Sequence, residues 1–177
     1  MAFVTKEQAR AAARRGENIF DQVAGLESFK DERFDIFLSH SIKDKDLVEG
    51  VGVLLRERGY NVYIDWMNDE ELDREHVDKK TADRLRQRMR NCSSLIYIAT
   101  GQSAESKWMP WELGYFDGCK SGAVAILPLV DSLSSGFNGQ EYLSLYPLVE
   151  WQSEEVYVDS GSEGRSLLWA FVNDTSR

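Results

Sequence analysis

The segment SKWMPWELGYFDG, residues 106–118, places one carboxylate, Glu112, among tryptophans and other apolar residues. Positions four apart in a helix share a face, so Trp108 and Glu112 are expected to project together. The negative charge of a carboxylate attracts a cation. The face of an indole ring beside it also attracts a cation, through cation–π attraction. The segment also has a structural interpretation: Pro110 lies early in a helix, Glu112 lies in the first turn where the helix dipole favours an acid, and Trp108 and Trp111 are packing residues.

Other polar residues end two apolar runs. Ser39, His40 and Ser41 end FDIFLSHS, and Asp65 and Trp66 end NVYIDW. The serines can donate to phosphate oxygens or cap a turn, and neither has a paired base that would make it a nucleophile. His40 can contact a nucleotide or satisfy backbone groups of a loop.

Apolar segments with strand chemistry alternate with segments of helical periodicity. We predict strands at 34–38, 60–65, 94–100 and 123–130, and helices at 5–29, 44–59, 77–91 and 107–120. Strands that are apolar throughout are typical of parallel sheets covered by helices on both faces. Side chains beyond the carboxyl ends of such strands meet in one crevice, so Ser39 to Ser41, Asp65 to Trp66 and the segment after Thr100 are expected to converge.

The remaining segments carry weaker signals. Residues 131–146 are predicted to form a long loop, either LVEW or VYV supplies a last strand, and SLLWAFV supplies a last helix. The acidic residues 66–76 are predicted to form a loop, in which Asp73 is a solvated charge. Gly50-Val51-Gly52 lies inside a predicted helix without the third glycine of a phosphate-binding turn, so it favours close helix packing.

Composition narrows the function classes. The chain has 177 residues, 42% of them hydrophobic, and a formal net charge of -9, which disfavours nucleic acid and anionic membranes as partners. No apolar stretch is long enough to span a membrane, and the first residues lack the apolar core of a signal peptide. Cys92 and Cys119 lack metal-site spacing. These features predict a cytoplasmic protein without a metal or a disulfide.

Four motifs in separate elements carry a family resemblance. FDIFLSHSIKDKD, VYIDW, SLIYIAT and the WxxxE pattern from Trp108 to Glu112 together resemble a bacterial Toll/interleukin-1 receptor (TIR) domain over roughly residues 34–130. The resemblance implies a flavodoxin-like three-layer α/β sandwich with a five-stranded parallel sheet and a mobile loop at about 66–76. It also implies, for many members, cleavage of NAD+ at the bond between nicotinamide and ribose, with Glu112 as the catalytic glutamate.

The implied reaction suits a single carboxylate. Nicotinamide leaves as a neutral ring, so no acid is needed, and the sugar becomes a cation that Glu112 can stabilise. NAD+ would be the substrate, and no separate cofactor is expected. The candidate substrate-binding residues are Trp108, Trp111, Ser39, His40, Ser41, Asp65 and Trp66.

Helical periodicity predicts an N-terminal amphipathic helical extension at residues 1–31, ahead of a TIR domain at 32–177. For function and partners, the resemblance implies a role in bacterial antiphage defence of the Thoeris type, self-association through TIR contacts that can build filaments, and a separate effector that senses the nucleotide product. The alternative is a non-catalytic adaptor that acts through TIR-to-TIR assembly.

Overall fold

Strands and helices alternate along the chain, as the hydrophobic pattern predicts. The computed structural model describes residues 3–23, 32–69, 78–133, 136–137, 139–152 and 154–174. The strands are β1 (Val4–Thr5), β2 (Phe34–Ser39), β3 (Val62–Tyr63), β4 (Cys92–Ala99), β5 (Val124–Val130), β6 (Leu148–Gln152), β7 (Glu155–Asp159) and β8 (Arg165–Leu167). The helices are α1 (Lys6–Val23), α2 (Lys45–Arg56), α3 (Asp65–Asn68), α4 (Lys79–Arg90), α5 (Trp108–Cys119) and α6 (Leu168–Val172). Of the helices within these ranges, none combines the length and apolarity that a bilayer crossing demands.

The sheet confirms the flavodoxin-like prediction. In the described ranges the strand order is β3-β2-β4-β5-β6-β7-β8. The short strand β1 is not part of this order and pairs with β5. The run from β3 to β6 is parallel and contains the five predicted strands. The sheet is nevertheless larger than predicted, because β7 and β8 continue it in antiparallel order.

Three local predictions need correction. LVEW and VYV are both strands, since they pair with each other as an antiparallel hairpin that closes at Gln152 and Glu155. SLLWAFV is divided between β8 and the short α6. Residues 66–68, predicted as loop, belong to α3, and Asp73 and the rest of the predicted loop lie outside the described residues.

The N-terminal segment packs on the sheet and on α2. Val4 and Thr5 pair in parallel with Leu129 and Val130 at the end of β5. In α1, Ala9 and Ala12 are fully buried. The predicted helix 5–29 thus begins at Lys6 and is helical through Val23, whereas residues 24–31, which include the predicted domain boundary, lie outside the described residues.

The two faces of the sheet carry separate apolar clusters. Along β2, Ile36 and Leu38 face the cluster shared with α2 and α6, and Phe37 faces the cluster beneath α4 and α5. Because side chains alternate along a strand, Ser39 points to the same side as Phe37. This alternation places the hydroxyl of Ser39 beneath α5.

A close helix contact explains the GVG motif. A Cβ added at Gly50 would lie 1.8 Å from the carbonyl oxygen of Ala9 in α1. We predict that Gly50→Ala lowers the free energy of unfolding by about 2 to 3 kcal/mol, because two helix backbones must separate. Urea unfolding followed by circular dichroism measures the change.

Gly114→Ala in α5 is the matched control. A Cβ there meets nothing within 4 Å, and alanine favours a helix over glycine by about 1 kcal/mol. Equal stability of the Gly50→Ala protein and the wild type would contradict the close contact between α1 and α2.

Candidate functional site

Glu112 occupies the buried face of α5. The helix begins at Trp108, so Glu112 is its fifth residue and lies beyond the first turn. The interpretation of Glu112 as a first-turn acid is therefore wrong. The buried residues of this helix are Trp108, Met109, Glu112, Leu113 and Phe116. Glu112 has no solvent exposure, so a carboxylate stands where the helical pattern calls for an apolar side chain.

A hydrogen bond joins Glu112 to the end of β2. The Ser39 hydroxyl donates to Oε2 of Glu112 over 2.6 Å, and both residues are fully buried. This length lies at the short end of the range for hydroxyl hydrogen bonds. Burying a carboxylate is costly unless hydrogen bonds compensate it, so the Ser39 contact makes the position tolerable.

The two tryptophans of the motif have different surroundings. Trp108 is buried on the same face as Glu112, as the four-residue spacing predicts. Trp111 is partly buried and contacts Trp108 edge to face at 5.4 Å. Trp111 also stacks on Tyr115 at 5.7 Å, and the Arg86 guanidinium of α4 lies over it at 5.2 Å. Trp108 is thus on the Glu112 face, and Trp111 packs toward α4.

Three side chains, those of His40, Asp65 and Trp66, link the end of β2 to the start of α3. Nδ1 of His40 lies 2.7 Å from the carbonyl oxygen of Leu38, and a carbonyl only accepts, so Nδ1 is the donor. Nε2 of His40 lies 3.2 Å from Oδ1 of Asp65, and both side chains are buried. The same Asp65 oxygen accepts from the backbone N–H of Trp66. The Trp66 ring meets the His40 ring edge to face at 4.5 Å, so His40 and Asp65 hold Trp66 in place.

The loop after β2 also joins the loop after β4. Ser41 caps a 3-10 turn by accepting from the backbone N–H of Lys43, which is the capping role foreseen for one of the serines. The Thr100 hydroxyl donates to Oδ2 of the buried Asp44 over 2.6 Å. Together with the pair of His40 and Asp65, this bond confirms the predicted convergence beyond the carboxyl ends of the strands.

Tyr97 is a neighbour of Glu112 that the sequence analysis missed. It is the parallel partner of Ser39 in β4 and is fully buried. Burial raises the pKa of Tyr97, as do Tyr142 and the charge of Glu112, so its hydroxyl stays protonated at neutral pH. Its hydroxyl donates to Oε1 of Gln140, which also accepts from Tyr142. The register of β2 against β4 determines this placement, and sequence periodicity alone does not give that register.

A buried ionic cluster fixes the end of α3. Asp69 accepts from Nε of Arg88 over 2.7 Å, from Nε of Arg84 over 3.0 Å and from the Tyr63 hydroxyl over 2.8 Å. Burial alone would raise the pKa of the Asp69 carboxyl. The hydrogen bonds to the charged form lower it by more, so the net shift of the pKa is downward. Arg88 has no solvent exposure. The cluster therefore ties the residue that follows α3 to α4.

A cavity of about 520 Å3 lies beyond the carboxyl ends of β4 and β5. Its lining includes Lys6, Thr100, Gln140 and Leu143 but not Glu112. Gln140 links it to the buried site, since its side chain accepts from Tyr97 next to Glu112. The hydrogen bond between Tyr97 and Gln140 thus connects the lining of the cavity to a neighbour of Glu112.

Comparison with known proteins agrees with this geometry. Residues 36–156 match the TIR domain family. The chain is 45% identical over 141 residues to a protein of Bacillus cereus (strain MSX-D12) named "Probable 3' cyclic ADP-D-ribose synthase ThsB'", covering 76% of this chain and 72% of that protein. It is 31% identical over 83 residues to the "Putative cyclic ADP-D-ribose synthase TIR2" of Cytobacillus dafuensis, covering 46% of this chain and 22% of that protein.

The Asp69 cluster predicts a pH dependence of stability. The pKa of Asp69 in the folded protein lies below the ordinary value of 3.8, so its contribution is present above that value and is lost as pH falls through the folded pKa. We predict that Asp69→Asn lowers the free energy of unfolding by about 3 kcal/mol at neutral pH, because Arg88 stays buried without its carboxylate. The difference from the wild type narrows below about pH 4.

Urea unfolding between about pH 7 and pH 3 measures this difference. Asp46→Asn is the control, since Asp46 forms an exposed pair with Arg10 and surface pairs contribute little. A difference between Asp69→Asn and the wild type that stays constant over this range would contradict the prediction.

Proposed function

Because the chain belongs to the TIR domain family, we propose that it cleaves NAD+ at the nicotinamide–ribose bond. The products are nicotinamide and ADP-ribose or a cyclic ADP-ribose isomer. Both relatives are named as cyclic ADP-D-ribose synthases, which favours the cyclic product.

The buried carboxylate of Glu112 is the observation that carries the proposal. An acid without solvent exposure on the apolar face of α5 is expensive for stability, and the helix dipole does not account for it. A buried acid of this kind is a candidate functional residue, because its burial is unfavourable unless its charge serves a purpose. In NAD+ cleavage that task is to stabilise a cation.

The proposed first step breaks the bond between the ribose C1 and the pyridinium nitrogen. The bonding electron pair goes to the nitrogen, so nicotinamide leaves neutral and needs no proton from an acid. The ribose becomes an oxocarbenium-like cation. Glu112 stabilises this charge and accepts hydrogen bonds from the ribose hydroxyls. Both interactions are stronger in a buried site, because the effective dielectric constant there is lower than in water.

The second step adds a nucleophile to the sugar cation. Water gives ADP-ribose, whereas a ribose hydroxyl or a ring nitrogen of the adenosine half gives a cyclic product, and the proton lost from the adduct passes to solvent. The outcome depends on which nucleophile is held beside the cation. Cyclisation therefore requires the dinucleotide to fold back on itself within the site.

The other predicted residues divide into two roles in this proposal. Trp108 forms a wall beside the ribose, because it shares the face of Glu112. Trp66 is held by His40 and Asp65. Its ring packs against the apolar cluster on the sheet face opposite to that of Trp108, and Nζ of Lys45 lies 5.4 Å from the ring centroid. The contact of Trp66 with the substrate stays a prediction. Since Glu112 has no solvent exposure, side chains around it must move to admit the substrate.

The proposal extends to the biological setting. We place the reaction in bacterial antiphage defence of the Thoeris type. A small nucleotide product signals only through a protein that binds it, so the proposal includes a separate effector protein that binds the product. Cys92 and Cys119 are free thiols, in keeping with a reducing cytoplasm. Self-association through TIR contacts remains a prediction.

Substitution of Glu112 tests the proposed function. We predict that Glu112→Gln lowers nicotinamide release at least about 100-fold, because the neutral amide cannot balance the charge of the sugar cation. The purified proteins are incubated with NAD+ at low and high protein concentration. Chromatography and mass spectrometry follow nicotinamide and the ADP-ribose products.

Glu105→Gln is the matched control, an exposed glutamate just ahead of α5 that pairs with Lys43. It should retain the wild-type rate. Equal rates for Glu112→Gln and the wild type would refute the catalytic role of Glu112. No release by the wild type at any concentration would favour the adaptor alternative.

A further inference from the structure

We propose that Ser39 is a positioning residue for Glu112 rather than a ligand of the substrate phosphates. Its hydroxyl fixes the orientation of the carboxylate that faces the ribose. This inference rests on the proposed function and specifies how its central residue is held.

The contacts of Ser39 leave little room for a phosphate. A serine hydroxyl carries one proton, and that of Ser39 is donated to Oε2 of Glu112. Burial does not separate the two roles, because Ser39 and Glu112 are equally buried, so the distinction rests on the hydroxyl proton. The same hydroxyl cannot hold Glu112 and a phosphate oxygen with one proton.

The two partners differ in rigidity. Ser39 ends β2 and pairs with Tyr97 of the central strand β4, so the sheet fixes its position. A glutamate side chain has three rotatable bonds and loses rotamer freedom only where contacts fix it. The hydrogen bond transfers the rigidity of the sheet to the carboxylate of α5. A preorganised carboxylate stabilises a developing cation without reorganisation during the reaction.

Ser39 does not act as a nucleophile in this arrangement. Its hydroxyl donates a hydrogen bond to the Glu112 carboxylate and keeps its proton throughout the reaction. No bond to Ser39 forms or breaks, and its contribution passes entirely through Glu112.

Steady-state kinetics of Ser39→Ala with NAD+ tests the inference. We expect kcat to fall about 10- to 100-fold, the range of one hydrogen bond to a charged group, with KM changed less than about threefold. Ser39→Thr restores the hydroxyl and should recover most of the lost rate. Thermal unfolding of each variant verifies that it is folded.

Ser94→Ala is the matched control. Ser94 lies in β4, is equally buried, and donates to the backbone carbonyl of Asp35 over 2.9 Å. It should keep the wild-type kcat, because its hydrogen bond is not directed at Glu112. If Ser94→Ala lowers kcat as much as Ser39→Ala does, the effect of Ser39 is explained by the loss of any buried hydrogen bond. That result would overturn the inference.

The division between kcat and KM decides between the two roles. A raised KM with unchanged kcat would make Ser39 a ligand of the substrate, and unchanged values of both would exclude either role. Each of these results overturns the positioning role while leaving the NAD+ reaction in place.

A stability cycle tests the contact independently of activity. The unfolding midpoints of Ser39→Ala, Glu112→Ala and the double variant are compared with that of the wild type. The double variant should lose less than the sum of the single losses, because the two residues share one interaction. Additive losses would overturn the inference, even if the wild type releases no nicotinamide and the proposed function itself fails.

Discussion

The buried hydrogen bond from Ser39 to Glu112 is the constraint on which the rest of the site depends. It joins a helix to a strand 73 positions away in the chain. An apolar side chain in place of Glu112 would suit the hydrophobic cluster beneath α5 better, because no charge would need compensation. The fold nevertheless carries the acid and supplies a donor for it. If Glu112 acts as proposed, stability and catalysis make opposite demands at this one position.

Parallel topology makes this contact possible. Strands β2 and β4 are neighbours in the sheet, so their carboxyl ends lie at the same edge. Helix α5 follows β4 in the chain and contacts β2 as well as β4. Glu112 on this helix therefore lies over Ser39 at the end of the neighbouring strand. The order of strands, rather than any local sequence signal, brings the two residues together.

The sequence predicts the parallel core and the residues at its carboxyl edge, because continuous apolar strands and helical periodicity are local signals. Local signals do not reveal partners. Tyr97 looks like an ordinary strand residue until the register places it opposite Ser39. The helix start is likewise misread, since Pro110 suggests a start later than Trp108 and so puts Glu112 in the first turn. The hairpin of β6 and β7 is missed because each strand alone is short and partly exposed.

The charge distribution limits how the substrate can be captured. The chain carries a formal net charge of -9, which repels the pyrophosphate of NAD+ at long range. Cations do occur at the carboxyl edge, but Lys6, Arg10 and Lys43 are paired with Asp131, Asp46 and Glu105. Salt also screens exposed charges beyond about 10 Å. In the proposed reaction, long-range attraction therefore contributes little, and capture of the dinucleotide depends on short-range contacts. Such contacts act only when the dinucleotide is already in place, so the proposal assigns selectivity mainly to groups that are held rigidly, as Glu112 is by Ser39.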